Sequence, residues 1–157
     1  SRFMSAYAQL ARLPRPRVQP VGMRECVRRV ADLETRLEVE ISAGPDLIVP
    51  ADPDQLEQLL INLLRNAVDA TLETGGKVAL GWARGGAHVD VWVRDDGPGL
   101  ANTSNLFVPF FTTKPGGSGI GLVLCRQIAE AHGGSLRLEN RSDSHGCQAL
   151  LSLPLSN

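Results

Sequence analysis

Hydrophobic and polar residues follow two different periods along this chain, and the period changes at turn-forming residues. Apolar residues recur at helical spacing in three segments, which run from Val21 to Glu34, from Asp52 to about Thr74, and from about Gly119 to His132. They alternate with a period of two in five shorter segments, at Leu37–Ile41, Val78–Trp82, Val89–Val93, Leu136–Glu139 and Ala149–Leu153. The pattern therefore predicts three helices and about five strands.

Turn residues support these boundaries. Asp52 followed by Pro53 is typical of an N-cap with proline at the first helical position. Gly75 and Gly76 end that helix, and Gly85–Gly86 between two alternating segments predicts a hairpin. Residues 100–118 have no dominant period and are rich in turn formers, which favours a long functional loop.

The first residues carry a separate signal. Five apolar residues at helical spacing precede a group of prolines, namely Phe3, Met4, Tyr7, Leu10 and Leu13. Pro14, Pro16 and Pro20 do not allow that helix to continue. We expect residues 1–17 to be the end of a preceding helix and a linker, and residues 18–157 to form one domain.

Composition narrows the function classes. A chain of 157 residues suits one domain with a genuine core. Its formal net charge of -1 gives no global field that would favour nucleic acid or an anionic membrane. Apolar runs are too short to span a bilayer, so a soluble cytoplasmic domain is expected. The odd number of cysteines, three, favours reduced and mostly buried thiols.

A polar stripe follows the helix that begins at Asp52. Because helical residues advance by about 100° each, Asn62, Asn66 and Asp69 fall within an arc of roughly 60° beside the apolar face. An unpaired buried amide costs on the order of 1–3 kcal/mol, so these side chains need a polar partner. Magnesium would suit the oxygen atoms of this stripe. The alternative is that the asparagines cap neighbouring backbone.

Asp95 ends the strand that contains Val89, Val91 and Val93. The two-residue period predicts that its carboxylate points inward with the valines, whereas Asp96 points outward. An inward carboxylate before Gly97-Pro98-Gly99 suits an acceptor for an exocyclic amine such as that of adenine. The alternative is a turn aspartate that bonds its own loop.

Gly117, Gly119 and Gly121 lead directly into the third predicted helix, where free N–H groups and the helix dipole favour an anion. The segment lacks the preceding strand of a dinucleotide-binding fingerprint and the Gly-Lys-Ser/Thr ending of a Walker loop. Lys114 supplies a positive charge that could follow terminal phosphates, or it is simply a solvated lysine.

Three of the chain's four phenylalanines lie in the same loop, at Phe107, Phe110 and Phe111. An aromatic cluster in a loop needs a surface to pack against. Loop anchoring would explain one phenylalanine, whereas three indicate a docking surface.

Four segments together resemble the catalytic and ATP-binding domain of sensor histidine kinases, in the wider group that includes gyrase, MutL and a heat-shock chaperone. The segments are Asn62–Ala70 (similar to the family's N box), Asp95–Gly99 (D-x-G-x-G box), Phe107–Lys114 (F box) and Gly117–Leu122 (second glycine box). The Pro-Phe-Phe-Thr-Thr-Lys sequence at 109–114 is most similar to the nitrogen-regulatory type. The resemblance covers residues 18–157.

The resemblance implies an α/β two-layer sandwich of the Bergerat type, with a mixed sheet of about five strands on three helices and an ATP lid. It implies ATP and Mg²⁺ as cofactors, with Asn62 and Asn66 at the metal and, with Lys114, in catalysis. Asp95 would hold the adenine amine. The implied nucleotide-binding set is Asn62, Asn66, Asp69, Asp95, Gly97, Gly99, Thr112, Thr113, Lys114, Gly117, Ser118, Gly119, Ile120, Gly121 and Leu122.

The implied activity is transfer of the γ-phosphate to a histidine on a dimerisation hairpin, which would dock on the three loop phenylalanines, with a response regulator downstream. His88, His132 and His145 lack the sequence context of that phosphoacceptor, so we expect a monomeric kinase fragment with little activity alone. One alternative is an ATP-hydrolysing clamp, but such ATPases typically carry a glutamate base where Asn62 stands. Another is a nucleotide-binding module without catalysis.

Overall fold

The structure is a computed structural model that describes residues 13–100, 121–143 and 145–156. Within these residues the chain forms three helices and seven strands. In chain order they are β1 (Gln19–Gly22), α1 (Met23–Leu33), β2 (Val39–Ser42), β3 (Ile48–Ala51), α2 (Pro53–Thr74), β4 (Val78–Gly85), β5 (His88–Asp95), α3 (Gly121–Ala131), β6 (Ser135–Asn140) and β7 (Cys147–Pro154).

Five strands form one mixed sheet in the order β2-β4-β5-β7-β6. The outermost strand β2 runs parallel to β4, and the other neighbours are antiparallel. The helices pack on one face of this sheet, so the predicted two-layer sandwich of a five-stranded mixed sheet and three helices is confirmed.

The core lies between the sheet and the helices. In β5 the residues Val89, Val91 and Val93 are buried while their neighbours along the strand are more exposed. They face helix residues such as Leu59 and Leu60, which are fully buried. The period of two in β5 and the helical period in α2 therefore meet in one hydrophobic core.

Helix α2 begins and ends as its sequence predicts. The Asp52 carboxylate caps it by accepting hydrogen bonds from the backbone N–H groups of Asp54 and Gln55, both at 3.0 Å. At the other end Gly75 has a φ of 76°, a conformation that glycine adopts at little cost. These local signals fix where α2 begins and ends, and Asn62 and Asn66 lie between those two points.

Two strands were not predicted from the sequence. β1 and β3 form a separate two-stranded sheet in which Pro20 pairs with Pro50. Each has four residues and includes a proline, so neither shows the alternating run that indicates a strand. Because Val21 pairs with Val49 in this sheet, α1 begins at Met23, two residues later than its periodicity predicted.

The predicted linker is described from Leu13 onward, and it contacts the start of α2. The Pro14 carbonyl accepts a hydrogen bond from Gln55 Nε2 at 2.9 Å. The Arg17 N–H donates to Asp52 Oδ2, also at 2.9 Å. The preceding helix predicted for residues 1–13 lies almost wholly outside the described residues, and the proposed boundary at residue 17 stays a prediction.

Candidate functional site

The end of β5 carries the most deeply placed carboxylate among the predicted site residues. Asp95 is 5% exposed and lies on the same strand face as Val91 and Val93, so its predicted inward orientation is confirmed. Its Oδ1 accepts hydrogen bonds from the backbone N–H groups of Gly97 at 2.9 Å and Cys147 at 3.2 Å. Both hydrogen bonds that described residues donate to this carboxylate end on Oδ1, and no described residue donates to Oδ2.

Burial raises the pKa of the Asp95 carboxyl. The N–H groups of Gly97 and Cys147 and the positive charge of Arg141 act in the opposite direction, but they do not offset the loss of hydration. A ligand that donates a hydrogen bond to this carboxylate would favour its ionised form, because it would replace part of the lost hydration.

The two glycines after Asp95 are required by the packing of the protein itself. A Cβ atom on Gly97 would lie 2.7 Å from Ala70 Cβ, so this loop crosses α2 in direct contact. Gly99 has a φ of 83°, and a Cβ there would lie 2.8 Å from Asn140 Oδ1. The sequence suggested close approach to a ligand at both positions, and the structure shows close approach to neighbouring protein atoms.

Asp96 does not simply point outward as the alternation predicts. Its Oδ1 lies 2.8 Å from Arg141 Nη1, and its Oδ2 accepts a hydrogen bond from the Lys77 N–H at 2.9 Å. The strand ends at Asp95, so the two-residue period no longer governs the next side chain. Asp96 is therefore a half-buried structural residue beside the candidate site.

The polar stripe on α2 is present, and its three members are half-buried. All three side chains interact with other groups, and two of the contacts can be described in detail. Asn62 hydrogen-bonds the thiol of Cys125 on α3, although burial still raises the pKa of that thiol to about 12. Asp69 Oδ1 lies 2.6 Å from Arg36 Nη1 in the connection between α1 and β2. These two contacts are made with a thiol and a guanidinium, so they do not decide whether the asparagines cap neighbouring backbone.

The remaining predicted nucleotide and docking residues lie mostly outside the described residues. These are Phe107, Phe110, Phe111, Thr112, Thr113, Lys114, Gly117, Ser118, Gly119 and Ile120. The predicted lid between residues 100 and 118 falls in the same part of the chain. Gly121 and Leu122 are described as the first residues of α3. A Cβ on Gly121 would meet no described atom within 4 Å, so packing does not demand a glycine there.

The sequence did not indicate a second group of residues around Asp95. The connection between β6 and β7 brings Arg141, His145 and Gly146 against the loop that begins at Asp95. These residues lie 46 to 51 positions after Asp95, in a segment whose Ser, Asp and Gly content predicts only a turn.

None of the helices in the described part of the chain combines the length and the apolar character that a membrane span requires.

Comparisons with known proteins agree on one family. The family described as "Histidine kinase-, DNA gyrase B-, and HSP90-like ATPase" matches residues 51–157. The chain is 44% identical over 106 residues to the C4-dicarboxylate transport sensor protein DctS of Rhodobacter capsulatus. This match covers 64% of the chain and 15% of DctS. It is 34% identical over 153 residues to the sensor protein kinase PilS of Pseudomonas aeruginosa, covering 88% of this chain and 28% of PilS.

Solved structures give the same result. The catalytic domain of the histidine kinase ThkA superimposes with a TM-score of 0.77 at 32% identity, covering 88% of this chain and 95% of that domain. Full-length ShkA in complex with AMPPNP has a TM-score of 0.83 at 26% identity, covering 99% of this chain and 35% of ShkA. The chain thus spans nearly all of a catalytic domain but under a third of the length of DctS and PilS.

Proposed function

Because this chain belongs to the family of histidine kinase-, DNA gyrase B- and HSP90-like ATPases, we propose that it is the ATP-binding catalytic domain of a sensor histidine kinase. It would transfer the γ-phosphate of ATP to a histidine on a separate helical hairpin. Its similarity to the sensor proteins DctS and PilS and to the ThkA catalytic domain supports this choice within the family.

The proposal rests on the burial and the hydrogen bonding of Asp95. This carboxylate is almost fully buried, and both hydrogen bonds from described residues occupy Oδ1. A buried carboxylate whose Oδ2 accepts no hydrogen bond from the described residues suits a ligand that donates one, and the exocyclic amine of adenine is such a donor. Asp95 would therefore select the base.

Magnesium would be held at the other end of the site, beside the phosphates. Asn62 and Asn66 offer amide oxygens, which are hard ligands of the kind that this ion prefers, and both are half-buried on α2. The ion would neutralise charge on the terminal phosphates.

Calorimetric titration with ATP and MgCl₂ tests the binding step. The wild-type chain should bind Mg-ATP, and Asp95→Asn should lose about tenfold or more in affinity, since a hydrogen bond to a charged group contributes about 1.5–3 kcal/mol. Asp90→Asn is the matched control, because Asp90 precedes Asp95 on the same strand but lies on its opposite face. Equal losses in the two variants would contradict the assignment of Asp95.

Phosphotransfer tests the chemical step. With ATP radiolabelled at the γ-phosphate, the chain alone should turn over little ATP, because the proposed acceptor histidine lies on a separate hairpin. Addition of the hairpin module of the same kinase should give an acid-labile phosphoryl group on that module. Steady ATP hydrolysis by the chain without transfer would instead favour the ATP-hydrolysing module.

The proposed docking surface and the role of the chain's own histidines are tested in the same assay. Phe110→Ala and Phe111→Ala should reduce transfer to the hairpin with the affinity for ATP unchanged. Joint replacement of His88, His132 and His145 should leave transfer largely intact in a folded protein. Efficient labelling of one of these three histidines would contradict a separate acceptor.

A further inference from the structure

The connection between β6 and β7 contacts the loop Asp95–Leu100 at several points. Three residues from the end of β6 and this connection hydrogen-bond the loop through their side chains, and a fourth contacts it through backbone: Asn140, Arg141, His145 and Gly146. The loop carries the carboxylate that would read the nucleotide base, and it leads into residues 101–120. The contacts therefore act on both ends of a functional segment.

Asn140 holds the far end of the loop. Its Oδ1 accepts a hydrogen bond from the Leu100 N–H at 2.6 Å, and its Nδ2 donates to the Leu100 carbonyl oxygen at 3.2 Å. One amide side chain thus binds both backbone groups of one residue. This pair fixes the chain where it leaves the loop toward residue 101.

Arg141 holds the near end. Its Nη1 donates to the backbone oxygen of Asp95 at 3.2 Å and to Asp96 Oδ1 at 2.8 Å. Its Nε and Nη2 both bond Asp143, which orients the guanidinium. The Arg141 side chain is only 17% exposed, so this contact is shielded more than an ordinary surface ion pair.

Backbone atoms at the start of β7 complete the contact. A Cβ on Gly146 would overlap the Asp95 backbone oxygen, and Gly146 has a φ of 118°. The next residue, Cys147, donates its N–H to Asp95 Oδ1. The direction of the Asp95 carboxylate therefore depends on where this connection lies.

We propose that Arg141 and Asn140 are positioning residues that set the selectivity of the site for the adenine base. The inference rests on the proposed function. Arg141 fixes the backbone of Asp95, and with the Cys147 N–H this directs Oδ2 toward the base. Asn140 prevents the loop from shifting at its other end. Neither residue needs to touch the nucleotide.

Comparison of ATP with ITP separates positioning from a general structural role. ITP carries a carbonyl oxygen in place of the adenine amine, so at that position it presents an acceptor to the Asp95 carboxylate instead of a donor. The wild-type chain should prefer Mg-ATP on the order of tenfold or more. Arg141→Ala should reduce this preference at least threefold, mainly by weakening ATP binding, at a temperature well below its melting transition. Asn140→Ala should act in the same direction.

Arg137→Ala is the matched control, because Arg137 lies on β6 with a side chain that is 67% exposed and contacts Glu139 at 3.9 Å, away from the loop Asp95–Leu100. It should leave the ATP-to-ITP preference unchanged. If Arg141→Ala does not fold, Arg141→Lys replaces it in the test. A lysine keeps the positive charge but cannot contact Asp95, Asp96 and Asp143 at the same time, as the guanidinium does. It should give a partial loss of preference.

The outcomes distinguish this inference from the proposed function. If the wild-type chain does not bind Mg-ATP, the proposed function is wrong. If it binds ATP and ITP equally, Asp95 does not select the base and the positioning role is wrong with it. If the wild type prefers ATP, and the folded Arg141 and Asn140 variants keep that preference or lose affinity for both nucleotides in equal proportion, the positioning role is wrong.

Discussion

The backbone N–H of Asp52 donates a hydrogen bond to His132 Nε2 at 3.0 Å, which joins the start of α2 to the end of α3. His132 Nδ1 lies 2.8 Å from the Ile128 carbonyl oxygen, so Nδ1 carries the proton and Nε2 accepts. This ring has a structural partner on each nitrogen. The His132 ring therefore connects α2, which carries Asn66, to α3, which begins at Gly121.

His132→Ala should destabilise the fold by about 1–3 kcal/mol, because it leaves the buried Asp52 N–H without its acceptor. Thermal unfolding measures the effect. His88→Ala is the control, since His88 is exposed at the start of β5 and its removal should change the free energy of unfolding little. Similar melting temperatures for the two variants would show that the contact between α2 and α3 contributes nothing.

Asp52→Ala should cost about 1 kcal/mol at neutral pH, since it removes the N-cap of α2 and the acceptor for the Arg17 N–H. Burial opposes ionisation of Asp52, but the backbone N–H groups of Arg17, Gln55 and Asp54 outweigh it and lower the pKa of this carboxyl. Asp46→Ala, in the exposed connection between β2 and β3, is the control.

The effect of Asp52 should depend on pH with a definite sign. Because its folded-state pKa lies below the ordinary value of 3.8, its stabilisation is present above that value and is lost as the pH falls through the folded-state pKa. The difference between wild type and Asp52→Ala in denaturant unfolding should therefore shrink in strong acid. A difference that stays constant down to pH 2 would contradict a cap that acts through the charged carboxylate.

Asp95→Asn should weaken ATP binding without loss of stability. Burial raises the folded-state pKa of Asp95 above 3.8, so ionisation lowers the stability of the nucleotide-free protein as the pH rises through that range. An asparagine keeps an oxygen for the Gly97 and Cys147 N–H groups and carries no charge. Its melting temperature at neutral pH should equal or exceed that of the wild type, and a clear decrease would contradict this balance.

Asn66→Ala should weaken magnesium-dependent ATP binding far more than it lowers the melting temperature. A metal ligand acts only in the loaded site, whereas a buried structural amide contributes to folding in all conditions. Titration of ATP with and without MgCl₂ gives the first quantity and thermal unfolding gives the second. A large loss of stability in Asn66→Ala with unchanged magnesium dependence would instead favour a structural role for this amide.

Local signals in the sequence were sufficient for the main elements and for one decisive orientation. Asp52 and Pro53 predicted the start of α2, and Gly75 predicted its end, because capping depends on residues within one turn. The strand period placed Asp95 with the valines of β5, since alternate side chains share a face wherever the strand stays regular. These predictions needed no knowledge of distant contacts.

The tertiary structure decided what each polar side chain contacts. The pairs Asp69–Arg36, Asn62–Cys125 and Asp96–Arg141 join residues that lie 33, 63 and 45 positions apart. The helical period indicated a polar stripe on α2, but it contains no information about which loop or helix packs beside it. Likewise the short strands β1 and β3 exist only because they pair with each other. Hydrogen bonds between distant segments depend on how the elements pack, and that packing is set by the whole core rather than by neighbouring residues along the chain.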